Sequence, residues 1–108
     1  MAVEVTTKQH DTKITFFDIP TIDGVTVPPG DLAGCTLSFL LKTKDGSIAL
    51  KKAAVINPDG SFSYDPVPAD VATAAKFQQE WEVVYPGGKI LTFPNQDWNT
   101  VKIIADLG

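Results

Sequence analysis

The sequence predicts an all-β domain in which two antiparallel sheets pack face to face as a β-sandwich. Apolar residues recur at every second position along much of the chain, as they do in strands that bury one face. Glycine, proline and aspartate interrupt this alternation at roughly ten-residue intervals, which is typical of short turns between strands. The 108 residues suit a single domain, residues 1–108, that folds without a metal or a disulfide.

The clearest strand is predicted at residues 76–85. Trp81 and Val83 lie on one face of this segment, and Glu80 and Glu82 lie on the other. Residues 35–42 alternate in the same way, with Leu37 and Phe39 on the apolar face. Further strands are predicted at residues 12–19, 47–56, 61–64, 89–93 and 100–105, with a short additional strand at 3–7, which gives seven or eight in all.

Turn residues separate these strands. Asp45-Gly46, Asp59-Gly60 and Pro86-Gly87-Gly88 predict hairpin connections. Residues 21–34 are longer and rich in glycine and proline, so we interpret them as an exposed crossing between the two sheets. Residues 68–75 are the one helical candidate, a short turn opened by proline.

Charge and composition argue against two classes of partner. The net charge is −4, and all nine basic residues are lysines scattered along the chain. Nucleic-acid binding favours a basic surface with arginine, so no nucleic-acid partner is predicted. No apolar run approaches the roughly 18 residues of a membrane span, and no secretory signal is recognisable, so no membrane partner is predicted either.

Few residues suggest catalysis. His10 is the one histidine and lies in a polar stretch, while Cys35 is the one thiol and has the parity of a core residue. A catalytic pair would need both groups close together with an orienting acid. We interpret Cys35 as an inert buried thiol, which forms no intrachain disulfide, and His10 as a solvated side chain. No enzyme activity and no cofactor are predicted.

The acidic residues are also interpreted structurally. Glu80 and Glu82 share one face of a strand, at a separation that two catalytic acids tolerate, but a solvated face explains them better. A calcium site near Asp18, Asp23 and Asp31 is the weaker alternative to ordinary turns, because a dense D-x-D-x-D-G pattern is missing. No metal site is predicted.

Apolar residues on outward faces are candidates for protein contact. Trp98 near the last strand has a second interpretation, because a tryptophan beside the Pro94–Asp97 loop also suits stacking on a sugar. Residues 1–10 are a candidate N-terminal arm that adds a strand to another chain, with Ala2–Gln9 as its pairing segment. The candidate contact residues are Phe17, Leu40, Val84, Trp98 and Ile104.

Five stretches in a fixed order suggest a family. They are GDLAG at 30–34, KDG at 44–46, PAD at 68–70, FQQEWEVVYPGGK at 77–89 and TFPN at 92–95. The series resembles the immunoglobulin-like domain at the N-terminus of phage upper baseplate proteins, which also occurs as short stand-alone proteins in phage and prophage structural gene clusters. The likeness extends over residues 13–103.

This resemblance implies an immunoglobulin-like β-sandwich that acts as a non-enzymatic building block of a virion. Its expected partners are other virion structural proteins and further copies of itself. Its expected location is the virion, after synthesis in the cytoplasm of a bacterial host. Baseplate, tail, neck and head-surface positions all remain open. A carbohydrate- or receptor-binding β-sandwich is the alternative function.

Overall fold

The computed structural model describes residues 4–94 and 99–105, and it confirms the all-β prediction. Two short 3₁₀ turns, Pro29–Leu32 and Pro68–Val71, interrupt the strands. The strands are β1 (Glu4–Lys8), β2 (Phe16–Asp18), β3 (Thr21–Ile22), β4 (Val25–Thr26), β5 (Thr36–Lys42), β6 (Ile48–Ile56), β7 (Phe62–Tyr64), β8 (Ala75–Val84), β9 (Ile90–Phe93) and β10 (Asn99–Ile104).

Eight strands form one curled sheet that folds over its own core. The order is β1-β10-β8-β5-β6-β7-β2, with β9 paired to β8. The long strand β6 joins the two layers of this sandwich, because most of it pairs with β5 while Val55 and Ile56 pair with β7. The large layer therefore contains β1, β10, β8, β9, β5 and most of β6. The small layer contains the end of β6 with β7 and β2.

One strand pair departs from the predicted antiparallel arrangement. Strand β1 runs parallel to β10, with Val5 opposite Val101 and Thr7 opposite Ile103. Nearly the whole chain separates these two strands, so no hairpin turn dictates their relative direction. The additional strand predicted at residues 3–7 is present at Glu4–Lys8, whereas its direction could not be predicted from local sequence.

The segment predicted as an exposed crossing, residues 21–34, contains regular structure. Ile22 and Val25 pair across a tight hairpin whose turn residues, Asp23 and Gly24, both have positive φ. Such a turn matches the twist of its flanking strands, and Asp-Gly is one of its preferred sequences. The segment does cross from β2 of the small layer to β5 of the large layer and is mostly exposed, as predicted, but the hairpin within it was not predicted. The helical turn predicted at 68–75 is shorter, because Ala75 already begins β8.

An aromatic cluster fills the space between the layers. In the large layer Phe39 of β5 lies 5.2 Å from Trp81 of β8, measured between ring centroids. The small layer adds Phe16, 4.8 Å from Phe39, and Phe62, 5.7 Å from Trp81. These residues are buried, as the alternation predicts. Aromatic contacts of this kind stabilise by burial and by favourable edge and offset geometry.

Three hairpins share one turn design. Gly46, Gly60 and Gly88 each have φ near +88°, which glycine adopts without a steric penalty. Each turn is closed by a main-chain bond of 2.8 or 2.9 Å from the residue three before the glycine to the carbonyl of the residue after it. This is the geometry of a three-residue loop with a bulge at the glycine. All three predicted hairpin turns are confirmed.

The shared turn allows a matched test of packing. At Gly60 an added Cβ would lie 3.2 Å from Cα of Pro29, whereas at Gly46 it would meet nothing within 4 Å. Both alanine substitutions strain a positive φ, at a cost of about 1–2 kcal/mol. We expect Gly60→Ala to lower the free energy of unfolding by about 1–3 kcal/mol more than Gly46→Ala, because it also overpacks this contact. Urea denaturation of both variants measures the difference. Equal losses of unfolding free energy would contradict the close contact between Gly60 and Pro29.

The turn at Asp45 also predicts a pH effect. The Thr43 hydroxyl and then the Ser47 amide and side chain lower the pKa of the exposed Asp45 carboxyl from 3.8 to about 2. A lowered pKa means that the turn is stabilised above pH 4 and that this stabilisation is lost as the pH falls towards 2. We expect Thr43→Val to raise the Asp45 pKa, as measured by NMR titration of its carboxyl carbon. An unchanged titration would rule out the hydroxyl as the main cause.

Candidate functional site

The outer face of the large layer carries paired charges. Nζ of Lys42 lies 2.7 Å from Oε1 of Glu80, and Nζ of Lys51 lies 3.1 Å from Oε1 of Glu82. Both carboxylates therefore have cationic partners near the surface, which fits the predicted solvated face. Pairs of this kind contribute little stability.

Leu40 is a correction to the predicted contact residues. It has outward parity but is only 2% exposed, so it offers no surface to a partner. The register explains its burial. Strand β5 lies between β6 and β8. The ion pair between Lys51 of β6 and Glu82 of β8 crosses β5 next to Leu40. The ion pair between Lys42 and Glu80 lies on the other side of Leu40. The aliphatic stems of such long side chains cover apolar surface while their charges stay in water.

The other predicted contact residues do not form one patch. Phe17 is 59% exposed on β2. Val84 and Ile104 are half-buried, and they lie at the ends of β8 and β10. Trp98 lies outside the described residues. Register pairs Phe17 with Ser63, Val84 with Thr36 and Ile90, and Ile104 with Lys8, so no two of these three candidates are cross-strand partners.

A different set of exposed apolar residues is concentrated around β2 and the small hairpin. In the small layer Ser63 of β7 is the cross-strand partner of Phe17 on β2 and of Val55 on β6. Phe17 and Val55 therefore lie on the same face of this layer. Ile19, Ile22 and Val25 follow Phe17 along the chain and are also exposed. We call Phe17, Ile19, Ile22, Val25 and Val55 the apolar strip. In the described residues, four of the eight exposed large apolar side chains lie within residues 17–25.

Sequence reasoning found only Phe17 of this strip. A signal for Ile22 and Val25 was present, because two β-branched residues flank Asp23-Gly24 in the usual hairpin pattern. The many glycines and prolines of residues 21–34 predict an exposed crossing but conceal this hairpin. Val55 follows Lys51 and Ala53 at outward parity, so alternation alone identifies its face. Only the register with β7 and β2 places it beside Phe17.

A buried polar chain fixes the position of the strip. Nδ2 of Asn99 donates to Oδ2 of Asp18 at 3.0 Å and to Oε1 of Gln79 at 2.9 Å. Gln79 and Asn99 are 4% and 6% exposed, although both are polar. We call Asp18, Gln79 and Asn99 the clasp, because it links β2 of the small layer to β10 and β8 of the large layer. Since Asp18 lies between Phe17 and Ile19, the clasp orients the start of the strip.

Further hydrogen bonds hold the small layer in place. Oγ1 of Thr15 donates to Oδ1 of Asp65 at 2.6 Å, which ties the entry of β2 to the end of β7. The Tyr64 hydroxyl donates to Oδ2 of Asp70 in the second 3₁₀ turn. Burial, and then the Asp70 carboxylate, raise the pKa of Tyr64 well above its usual value. The phenol therefore remains a hydrogen-bond donor at any physiological pH.

A small cavity lies where the curled sheet does not close. Its volume is about 110 Å³, and its walls include Val5 of β1, Phe16 and Phe17 of β2, and Trp81 of β8. Nε1 of Trp81 is buried and has no hydrogen-bond acceptor among the described residues. The cavity is thus lined by aromatic rings and one indole donor, with the amides of the clasp beside it. It contains no nucleophile with an adjacent base.

The candidate catalytic residues are held in different surroundings. His10 is exposed, and its amide donates to the Val71 carbonyl at 3.1 Å. Cys35 is half-buried rather than fully buried, because it lies just before β5 begins, and its amide donates to the Leu32 carbonyl. Burial, followed by the charges of Cys35 and Asp31, raises the pKa of Tyr85. The geometry gives His10 no role with this thiol.

The predicted acidic candidates do not converge. Asp18 belongs to the clasp, Asp23 occupies the β3–β4 turn, and Asp31 lies in the first 3₁₀ turn. Within residues 4–94 and 99–105, no three His, Cys, Asp or Glu side chains are grouped closely enough to hold a metal ion. No helix in this part of the chain is long and apolar enough to cross a bilayer.

Comparison of the chain with models of known protein families and with curated protein sequences finds no match. The interpretation of function therefore depends on the sequence resemblance and on the surfaces described above.

The clasp predicts a large difference between two neighbouring glutamines. Gln79→Ala removes a buried acceptor of Asn99, together with the bond from Nε2 of Gln79 to the Glu80 carbonyl. We expect a loss of about 1–3 kcal/mol in the free energy of unfolding, because buried polar groups lose their partners. Gln78→Ala, on the outer face of the same strand, should change stability by less than about 0.5 kcal/mol. Chemical denaturation tests this, and equal effects would contradict a stabilising clasp.

Proposed function

We propose that this chain is a non-enzymatic structural component of a bacteriophage virion that docks onto other virion proteins. The series of stretches from GDLAG at 30–34 to TFPN at 92–95 supports this proposal through its resemblance to baseplate immunoglobulin-like domains. The β-sandwich architecture is compatible with such a role. The proposal includes baseplate, tail, neck and head-surface positions.

The apolar strip is the observation that carries the docking proposal. The two layers present different outer faces, since the large layer carries ion pairs and the small layer carries Phe17 and Val55. Protein interfaces are centred on aromatic and aliphatic side chains and are depleted of lysine and glutamate. The small layer meets this description, whereas the outer face of the large layer carries lysine–glutamate pairs beside its exposed Ile48 and Ile90. Docking through the strip leaves the charged face in solvent.

The clasp makes the strip suitable for docking. A surface that is already ordered loses less conformational entropy on binding than a mobile one. Asp18 fixes β2 through Asn99, and Thr15 fixes the entry of the same strand through Asp65. The exposed Phe17 ring therefore projects from an anchored strand. This arrangement favours a permanent structural contact in a particle.

The direct test of the proposed function is localisation of the chain. Phage particles are purified from a lysate of the strain that encodes the chain and labelled with antibodies raised against the purified protein. We expect immunogold electron microscopy to label the particles at one repeated position. Particles that lack the protein, while the lysate contains it, would refute the virion role.

The docking surface is tested with two matched substitutions. Phe17 and Ile90 are 59% and 60% exposed, but only Phe17 belongs to the apolar strip. We expect Phe17→Asp to reduce incorporation into particles by more than about tenfold, as for an interface hot spot, and Ile90→Asp to leave it unchanged. Quantitative immunoblotting of purified particles measures incorporation, and circular dichroism confirms folding of both variants. A loss of incorporation only in Ile90→Asp would contradict docking through the apolar strip and would place the interface near the end of β8 and the start of β9.

A further inference from the structure

Strand β1 is attached to the rest of the molecule through one neighbouring strand. Among the strands of residues 4–94 and 99–105 it pairs only with β10, with Thr6 opposite Lys102 and Thr7 opposite Ile103. Thr7 is its one fully buried residue, Val5 is half-buried, and the other three are exposed. Its ion pair from Glu4 to Lys76 spans 4.0 Å between exposed side chains, so it contributes little. Most of the attachment is therefore main-chain pairing.

The segment that follows β1 is loosely packed and contains a strained residue. His10 has φ of +65°, a left-handed conformation that is costly for a residue with a side chain. Residues 11–13 are exposed, and the hydrogen bonds that they donate are local, from the Asp11 amide to the Lys8 carbonyl and from the Lys13 amide to Oδ1 of Asp11. A hollow of about 580 Å³ lies between this segment and the body of the fold, with Lys8 and Ile104 among its walls.

We infer that β1 is exchanged between two copies of this chain, so that β1 of each copy pairs with β10 of the other. The exchanged strand pairs with an edge that already fits it, because each β10 accepts the same five residues in the same register. Gln9 moves with the strand and makes its bonds to the Ile104 and Ala72 carbonyls on the second copy. The occupant of this surface is therefore a second copy of the same segment.

We call residues 10–15 the hinge. Release of backbone strain in the hinge lowers the free energy of the exchanged dimer relative to the closed monomer. In the closed monomer His10 must hold its left-handed conformation to turn the chain back towards β2. In the exchanged dimer residues 10–15 run extended between the copies, which releases that strain in both copies and gives up the bond from the His10 amide to the Val71 carbonyl. Strained hinges next to edge strands favour this form of dimerisation. When extended, residues 10–15 span roughly 20 Å, which sets how far apart the two copies can lie.

Disulfide trapping tests the exchange on the purified chain. All variants carry Cys35→Ser, which removes the native thiol. One preparation carries Thr6→Cys and the other Lys102→Cys, at positions that are opposite each other in the register. The two are mixed in denaturant, refolded together at high concentration and oxidised. We expect a disulfide-linked heterodimer as the main product, because neighbouring strands bring such residues within disulfide range.

Controls separate strand exchange from random crosslinking. Ser38→Cys and Ala53→Cys are opposite each other on β5 and β6, which do not exchange, so the same mixing should give no enrichment of heterodimer. A chain that carries both Thr6→Cys and Lys102→Cys forms a disulfide within one copy when β1 pairs with its own β10. If that chain closes internally while the mixed single variants stay monomeric, the exchange is refuted.

The role of His10 has its own matched control. His10→Gly and Asp23→Gly each relieve a positive φ, but only His10 lies in the hinge. We expect His10→Gly to lower the trapped heterodimer by roughly fivefold and Asp23→Gly to leave it unchanged. Equal yields in both variants would remove strain as the driving force. The exchange goes beyond the proposed function, and failure of this test leaves docking through the apolar strip untouched.

Discussion

The contact between aromatic rings of the two layers is the interaction on which the structure depends. Phe39 touches rings from both layers, since it packs against Phe16, Trp81 and also Tyr64, whose ring lies 4.6 Å away. A short strand such as β2 has only three residues and one neighbour, so pairing alone gives it little stability. Burial of Phe16 against this cluster fixes β2, and with it the exposed Phe17.

Polar bonding complements the aromatic core at the edge where the sheet stays open. Gln79 and Asn99 occupy core parity, yet both are satisfied because Asn99 donates to Gln79 and to Asp18. A buried amide without partners would destabilise the fold, whereas a connected set is tolerated and is specific in its geometry. The clasp therefore aligns the layers where apolar packing alone would allow them to slide. The docking proposal needs such alignment, since the strip begins at Phe17.

Much of the fold was predictable from the sequence, whereas much of the candidate site was not. Alternation identified the buried face of β8, and turn residues identified the hairpins at Gly46, Gly60 and Gly88, because both signals are local. Leu40 was misjudged because its exposure depends on side chains from two neighbouring strands. The hairpin at Ile22 and Val25 was not predicted although its signal was local, since the surrounding prolines and glycines suggested an exposed crossing.

By itself, the sequence determined an all-β chain, its strand faces and the turns between them. Those features follow from the two-residue period of a strand and from the conformational limits of single residues. Only the tertiary structure decided that β1 runs parallel to β10, that Asp18 reaches Asn99, and that Val55 lies beside Phe17. These contacts join residues far apart in the chain. Their partners are selected by how the whole sheet curls, a property that no short stretch of sequence contains.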